Sequence, residues 1–240
     1  MAVGEEEKGA EQIFQGVCRI PDPRKSGRQS LATKNLTPGR SYYGESLIKV
    51  RYGGASVEFR LWDPYRSKLA AAILNRLKSF PFKEGESCLY LGASTGTTVS
   101  HVSDVLGSSG HIFAVELAPR VARELLENVA KYRRNVIPII ADARHPDKYG
   151  AVYGEVHSVY CDIAQADQTE IAILNCRSYI GKNSTLMLVV KASSIDVLKP
   201  KDQVFAEQKR TLEGAGFEVT EQIDLEPFDR NHALLVAKMG

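Results

Sequence analysis

The chain has 240 residues, 43% of them apolar and 25% charged, which excludes a fully disordered protein and suffices for one large domain or one domain with a small appendage. Its 31 basic and 29 acidic residues leave a formal net charge of +2, too even to indicate a nucleic-acid binder by itself. The longest aliphatic run, 186–190, is far shorter than the roughly 20 residues of a membrane-spanning helix. The acidic start MAVGEEEKGAEQ is unlike a secretory signal, so we expect a soluble intracellular protein.

The four cysteines, Cys18, Cys88, Cys161 and Cys176, form no C-x-x-C motif and have no paired spacing with histidine. We therefore expect neither a metal site nor a disulfide framework.

Residues 1–62 predict a small β-rich N-terminal domain. Two alternating runs, one through Tyr52 and one from Val57, flank Gly53-Gly54, a pattern typical of a β-hairpin. Six basic residues and one acid lie between Arg19 and Arg40. They fit either a phosphate-contacting patch or a solvated loop, and charge alone favours the loop.

Residues 63–240 predict an α/β domain. Asp63-Pro64 resembles a helix cap followed by a first-turn proline, and apolar residues from Leu69 to Leu77 repeat at helical spacing. Strands are predicted at 87–91, 111–116, 136–141, 156–162, 185–191, 217–225 and 233–238, and further helices at 97–106, 119–133, 168–180 and 200–215. This alternation indicates a doubly wound, mostly parallel sheet, with an antiparallel hairpin at one edge.

The residues that follow these strands are chemically distinctive. The first strand ends in a turn from Gly92, and the next four end at Glu116, Asp142, Asp162 and Lys191. Since ligands of such sheets bind outside the carboxyl ends of the strands, we expect the functional site there.

The glycine turn predicts the class of ligand. Gly92 and Gly96 lack between them the second glycine of G-x-G-x-x-G, which argues against a dinucleotide. Glu116 lies about 20 residues beyond Gly96, a spacing that suits an acid binding ribose hydroxyls, and Asp142 is placed to bind an adenine edge.

Thr97 and Thr98 start the next helix and offer hydroxyls and free N–H groups to a carboxylate. A nucleoside joined to an amino acid describes S-adenosylmethionine, which we favour over a nicotinamide cofactor.

Several stretches along the chain recur together in one known family, namely 32–36 (ATKNL), 65–70 (YRSKLA), 91–92 with 96–98 (LG, GTT), 100–104 (SHVSD), 162–165 (DIAQ), 194–196 (SID), 225–228 (LEPF) and 232–233 (HA). With them the sequence resembles the fibrillarins, which methylate ribose 2′-hydroxyls within box C/D ribonucleoproteins. The matching stretches extend from about residue 14 to the end. Without the Gly/Arg-rich tail of eukaryotic members, the chain is similar to the archaeal form.

The resemblance implies a Rossmann-like class I methyltransferase fold and guide-RNA-directed 2′-O-methylation of rRNA, and of tRNA. It implies S-adenosylmethionine as cofactor. The implied partners are a Nop-domain scaffold protein, a kink-turn-binding protein of ribosomal type, the box C/D guide RNA and the target RNA. Binding to a membrane is not implied. The implied location is the cytoplasm, or the nucleolus in a eukaryote.

The family pattern also implies site residues. Its catalytic set corresponds to Lys68, Asp162, Lys191 and His232. Besides Gly92 and Gly96 of the glycine turn, the implied cofactor contacts are Thr97, Thr98, Glu116, Leu117, Asp142, Ala143, Asp162, Ile163, Ala164 and Gln165. The sequence departs from the pattern in three ways, with Leu117 where an aromatic residue is usual, Ala166 for proline, and Ser94-Thr95 for Ala-Ser, and none of these removes a charged group.

We expect Lys68 and Lys191 to orient groups and stabilise developing negative charge, Asp162 to fix both lysines, and His232 to position the ribose or carry the proton. Taken singly, each has a plainer interpretation, namely a solvated helix lysine, a strand end, a turn cap and a loop histidine. The other four histidines, including His101, are expected to be structural.

Two alternative functions stay open at this point. One is a small-molecule or protein methyltransferase on the same fold, because fold alone does not determine substrate. The other is a ribonucleoprotein scaffold without activity, against which the presence of Lys68, Asp162 and Lys191 argues.

Overall fold

The computed structural model describes residues 9–24 and 27–239, and all of their side chains except those of 182 and 183. Residues 1–8 of the predicted N-terminal domain, and Lys25 of the basic stretch, lie outside these ranges. Within them, no helix combines the length and apolarity needed to cross a membrane.

An antiparallel sheet of five strands forms the N-terminal part. Its strands are β1 (Glu11–Phe14), β2 (Val17–Pro21), β3 (Gln29–Lys34), β4 (Leu47–Tyr52) and β5 (Ala55–Leu61), in the order β1-β2-β3-β5-β4. The predicted hairpin is confirmed, because Tyr52 pairs with Ala55 across Gly53 and Gly54. Both glycines have positive φ, +58° and +82°, which a two-residue turn of this kind needs.

Two arginines of the basic stretch are engaged within the protein. Arg24 Nη2 lies 3.0 Å from Asp22 Oδ2, and the Arg40 guanidinium lies 3.5 Å from the Tyr132 ring centroid. Both contacts favour a structural role for these two side chains.

The second sheet has seven strands. They are β6 (Ser87–Leu91), β7 (His111–Glu116), β8 (Val136–Ile140), β9 (Val156–Cys161), β10 (Ile180–Lys191), β11 (Phe217–Asp224) and β12 (His232–Met239). The helices are α1 (Lys68–Leu74), α2 (Thr97–Leu106), α3 (Pro119–Asn128), α4 (Gln168–Tyr179), α5 (Ala192–Ile195) and α6 (Lys201–Gly214). Short 3₁₀ helices at Ala130–Tyr132 and Pro146–Lys148 follow α3 and β8.

The strand order, β11-β12-β10-β9-β6-β7-β8, confirms the predicted doubly wound sheet. Strands β8, β7, β6, β9 and β10 pair in parallel, and β12 pairs antiparallel with both β10 and β11. The order reverses between β6 and β9, which is where such sheets open a crevice at their carboxyl ends. One apolar core lies on each face, and the core that holds α1 and α2 includes Val17, Leu31 and Trp62 from the N-terminal region.

The first helix begins later than the sequence predicts. Asp63 does not cap it, because its Oδ1 accepts the N–H of Tyr65 within a turn at 2.9 Å. Ser67 is the N-cap, and α1 ends before Leu77. The Ser67 hydroxyl also hydrogen-bonds the Thr98 hydroxyl at 2.9 Å. As a result, Lys68 is the first residue of α1 and lies at the helix end nearest the carboxyl edge of the sheet.

A buried ionic cluster joins the two sheets. Asp104 of α2 accepts hydrogen bonds from Arg60 of β5 at 2.8 Å and from Thr33 of β3 at 2.7 Å. Arg133 Nη2 lies 2.6 Å from the other carboxylate oxygen of Asp104, Oδ1. His101 contacts the Thr33 hydroxyl at 2.7 Å. Burial, reinforced by the two arginine charges, holds the pKa of His101 well below its ordinary value, so this histidine is neutral and structural.

Candidate active site

A cavity of about 290 Å³ opens at the carboxyl edge of the seven-stranded sheet. Of the predicted cofactor residues, Gly92, Glu116, Leu117, Asp142, Ala143, Asp162, Ile163, Ala164 and Gln165 line it. Lys191 lines it as well, together with Ser94, Val115, Ala118, Ala141, Arg144 and Ile171. The strand ends singled out in the sequence therefore meet around one space.

Gly92 and Asp162 lie side by side at the point where the strand order reverses. The N–H of Asp162 donates to Leu91 O at 2.9 Å. Gly92 has a φ of +81°, and a Cβ at this position would lie 2.7 Å from the main-chain oxygen of Asp162. Glycine is thus required here by the close approach of two chain segments.

Glu116 is held at the cavity by two main-chain donors. Its Oε2 accepts the N–H of Ser94 at 2.9 Å, and its Oε1 accepts the N–H of Ala118 at 3.0 Å. Ser94 adopts the left-handed conformation, with a φ of +51°, which side-chain-bearing residues rarely adopt. The carboxylate is therefore fixed in orientation before any ligand binds.

Arg144 ties together two of the loops that surround the cavity. Its guanidinium donates to both carboxylate oxygens of Asp167, at 2.8 and 2.7 Å, and to Gln165 Oε1 at 3.1 Å. The hydrogen bond from Arg144 lowers the pKa of Asp167. Sequence reasoning did not single out Arg144, since its partners lie in another loop.

Three of the predicted cofactor residues, Gly96, Thr97 and Thr98, are not among the residues that line the cavity. Gly96 instead faces α3, because a Cβ there would lie 2.6 Å from Val129 and 2.7 Å from Leu125. Thr98 is buried and bonded to Ser67. The glycine at 96 is thus explained by helix packing, a role that its spacing from Gly92 did not reveal.

Lys68, Asp162 and Lys191 meet at the edge of the cavity. Lys191 Nζ lies 2.7 Å from Asp162 Oδ1 and directs a hydrogen bond at 2.9 Å to the main-chain oxygen of Asp162. Lys68 Nζ donates to Asp162 Oδ2 at 3.3 Å. One carboxylate thus serves as counterion to two ammonium groups that come from α1 and β10.

The fourth predicted catalytic residue, His232, is linked to these three through Asp229. His232 Nδ1 lies 2.8 Å from Asp229 Oδ1, and Asp229 Oδ2 lies 3.8 Å from Lys68 Nζ. Partial burial opposes ionisation of Asp229, but contact with His232 and the charges of His232, Lys68 and Lys191 outweigh it, so the pKa of Asp229 is lowered. Sequence reasoning missed Asp229, although it lies three residues before His232.

Comparison with known proteins gives consistent matches. The fibrillarin family model matches residues 10–240. A fibrillarin-like rRNA/tRNA 2′-O-methyltransferase of Pyrobaculum aerophilum is 50% identical over 215 residues, which are 89% of this chain and 90% of that protein. The structure of Aeropyrum pernix fibrillarin with natively bound S-adenosyl-L-methionine is 42% identical, with a TM-score of 0.84 over 95% of this chain and 97% of that one.

A fibrillarin/Nop5p complex contains a third similar chain, 35% identical, with a TM-score of 0.80 over 96% of this chain and 100% of that one. These matches extend over both sheets, and they confirm the expected Rossmann-like methyltransferase fold. The chain belongs to the fibrillarin family.

Proposed function

We propose that this protein transfers a methyl group from S-adenosylmethionine to the ribose 2′-oxygen of rRNA and tRNA, as the catalytic subunit of a guide-directed box C/D ribonucleoprotein. The observation that carries the proposal is the position of Asp162, which lines the cavity and holds Lys68 and Lys191 at its edge. The activity named for the Pyrobaculum relative, at 50% identity, supports it.

The donor set of the cavity fits S-adenosylmethionine. Glu116 presents a carboxylate whose orientation is already fixed and which can accept hydrogen bonds from two ribose hydroxyls. Leu117 and Ile163 offer apolar surface to a flat base, and Asp142 offers an acceptor to its amino edge. The ligand bound natively to the Aeropyrum protein supports this assignment.

When bound, S-adenosylmethionine supplies a methyl group on a positively charged sulfur, which leaves as a neutral thioether with the bonding electron pair. The residues of this chain have to bring the 2′-oxygen into line and stabilise the negative charge that develops on it. The ammonium groups of Lys68 and Lys191 suit that role. Asp162 restricts both lysines to one position, which reduces the entropy that each would otherwise lose on binding RNA.

The proposed partners are a Nop-domain scaffold protein, a kink-turn-binding protein of ribosomal type and the guide RNA. The fibrillarin/Nop5p complex of a similar chain supports the first. The even charge balance, 31 basic against 29 acidic residues, supports the view that base pairing with a guide RNA selects the target and that this protein supplies the catalytic groups.

The test is tritiated methyl transfer in a particle that is reconstituted from this protein, the Nop-domain scaffold protein, the kink-turn-binding protein and a guide RNA. We expect label in the guided nucleotide of a matching target, and none when that nucleotide carries a 2′-deoxy sugar. Label in the deoxy target would indicate methylation of a base and contradict the proposal. Guide-independent label in protein or metabolite would favour a different substrate class.

A variant separates activity from assembly. Asp162→Ala should abolish transfer while the particle still assembles, as measured by native gel shift of the guide RNA. Asp202→Ala is the matched control, because Asp202 is exposed on α6. Full activity in the Asp162 variant would show that the site is wrongly assigned.

A further inference from the structure

Asp229 is the one carboxylate among the described residues that contacts both Lys68 and His232. It lies in the loop between β11 and β12, where its N–H donates to Leu225 O at 3.0 Å. Its Oδ1 lies 2.8 Å from His232 Nδ1, and its Oδ2 lies 3.8 Å from Lys68 Nζ. About a third of its side chain is exposed, 31%, so water does not fully screen either contact.

The surroundings of His232 determine which ring nitrogen carries the proton. Nδ1 lies 2.7 Å from the main-chain oxygen of Arg230 and 2.8 Å from Asp229 Oδ1. A carbonyl oxygen and an ionised carboxylate are both acceptors, so Nδ1 must be the donor. In the neutral ring, Nε2 then has a free lone pair and is able to accept a proton.

The two acceptors have different roles once Nε2 accepts a proton. The carbonyl of Arg230 is a dipole that orients the ring in either protonation state. The carboxylate of Asp229 carries a full charge, and it stabilises the imidazolium much more than the neutral ring. The same arrangement, a histidine general base that is oriented and stabilised by a carboxylate, occurs in the Ser-His-Asp triad.

Resting on the proposed function, we propose that Asp229 is a positioning residue, which enables His232 to take the proton of the 2′-hydroxyl through Nε2. As the 2′-oxygen bonds to the methyl carbon, the carbon–sulfur bond breaks and leaves its electron pair on sulfur, while the O–H bond breaks and the proton passes to Nε2. The imidazolium so formed remains paired with Asp229. Lys68 and Lys191 then stabilise charge on the oxygen without having to lose a proton.

The charges that face His232 come from several elements. Asp229 contacts the ring from its own loop, Lys191 is paired with His232 across β10 and β12, and Lys68 of α1 contacts Asp229. Asp162 is held between the two lysines. Asp229→Asn removes the negative charge in contact with the ring and leaves the two cations, so the imidazolium that forms on proton transfer is destabilised.

The first experiment is an NMR titration of the histidine rings in the free protein. In Asp229→Asn, we expect the His232 midpoint to fall, because the opposite charge in contact with the ring is lost. Asp229→Glu should restore part of the difference. Glu155→Gln is the matched control, because it removes a carboxylate that lies 4.0 Å from a different histidine, His157, and should leave the His232 midpoint unchanged.

The second experiment measures methyl transfer in the reconstituted particle. Asp229→Asn should lower kcat about 10- to 100-fold, the lower range for a positioned general base, with KM for the target RNA nearly unchanged. The acid limb of its pH–rate profile should move to lower pH together with the NMR midpoint. Combined with His232→Gln, the variant should cost little more than His232→Gln alone, since both changes affect the same step.

An unchanged His232 midpoint in Asp229→Asn, or an unchanged kcat, overturns the proposal. A loss of activity that Asp229→Glu does not partly restore also overturns it. The same holds for a loss of activity that is explained by a less stable fold, as measured by thermal unfolding. A wild-type particle that transfers no methyl to the 2′-oxygen overturns the proposed function instead. The NMR titration still tests the Asp229–His232 pair in that case, because it needs neither RNA nor cofactor.

Discussion

Lys191 lies directly opposite His232 in the antiparallel pairing of β10 with β12. Directly opposed residues project from the same face of a sheet, so the backbone register itself places the side chains of Lys191 and His232 side by side on one face. Lys191 also reaches Asp162 at the end of the neighbouring strand β9. The side chains at three adjacent strand ends are therefore brought together by the hydrogen bonds of the sheet.

This register predicts a large effect of Lys191 on rate. Lys191→Gln should lower kcat about 10²- to 10³-fold, the range for removing one donor that stabilises a developing oxyanion. Binding of S-adenosylmethionine, measured by calorimetry, should change little. Lys209→Gln is the control, because Lys209 pairs with Glu213 on the surface of α6. Near wild-type kcat in the Lys191 variant would mean that its ammonium is not close to the reacting oxygen.

The carboxylate of Glu116 is expected to contribute to the affinity for S-adenosylmethionine. Glu116→Gln should weaken S-adenosylmethionine binding by about 1.5–3 kcal/mol, since hydrogen bonds to a charged acceptor are lost. That corresponds to roughly a 10- to 150-fold higher Kd, measured by calorimetry. The control is Glu124→Gln, whose carboxylate pairs with Arg120 on the surface of α3. Unaltered affinity in the Glu116 variant would exclude this carboxylate as a ribose ligand.

The ionic cluster between the two sheets predicts a large stability effect. Asp104→Asn removes the carboxylate charge that is paired with buried Arg133 and leaves buried Arg60 paired with Glu45 alone. Breaking such a pair from one side costs about 3–5 kcal/mol, measured as the free energy of unfolding in urea. Glu127→Gln breaks an exposed pair with Lys131 and should cost less than about 1 kcal/mol. A similar, small loss in both variants would contradict the structural role of the cluster.

Alanine substitution at two glycines with positive φ distinguishes the cost of backbone strain from the cost of overpacking. Gly96 has a φ of +97° and atoms of Val129 and Leu125 within 2.7 Å of a Cβ, whereas Gly53 has a φ of +58° and nothing within 4 Å. Both alanine variants cost about 1–2 kcal/mol for the left-handed conformation. Gly96→Ala should cost about 1–3 kcal/mol more from overpacking, as measured by urea unfolding, and equal losses would argue against tight packing at position 96.

The ionised carboxylate of Asp22 should make the free energy of unfolding depend on pH. The hydrogen bond from Arg24, with a second from Ser30, holds the pKa of Asp22 well below its ordinary value. The folded pKa is lowered, so the stabilisation is complete above the unfolded value of about 4 and is lost as the pH falls below it.

Asp22→Asn should therefore destabilise the protein at pH 7 by only about 1 kcal/mol, because the Arg24 side chain is 55% exposed. The difference from wild type should shrink at pH 3, as measured by urea unfolding at both values. Asp147→Asn, at an exposed position, is the control and should show no such dependence. A difference that grows on acidification would have the wrong sign for this explanation.

The regular elements of the second sheet were largely predictable, because their patterns are local. The ends of Ser87–Leu91, Thr97–Leu106 and His111–Glu116 agree with the prediction, since apolar runs and turn residues mark them. The start of α1 was not predictable in the same way. Asp63 and Ser67 are both good caps, and the hydroxyl of Thr98, distant in the chain, binds Ser67.

The sequence by itself determined which chemical groups stand at the carboxyl ends of the strands, because alternating strands and helices bring those ends to one edge. Only the tertiary structure decided which of these groups touch. It paired Asp162 with two lysines, turned Gly96 toward α3, and placed Asp229 against His232. Such contacts depend on strand order, register and loop geometry, which arise from packing between segments that are far apart along the chain.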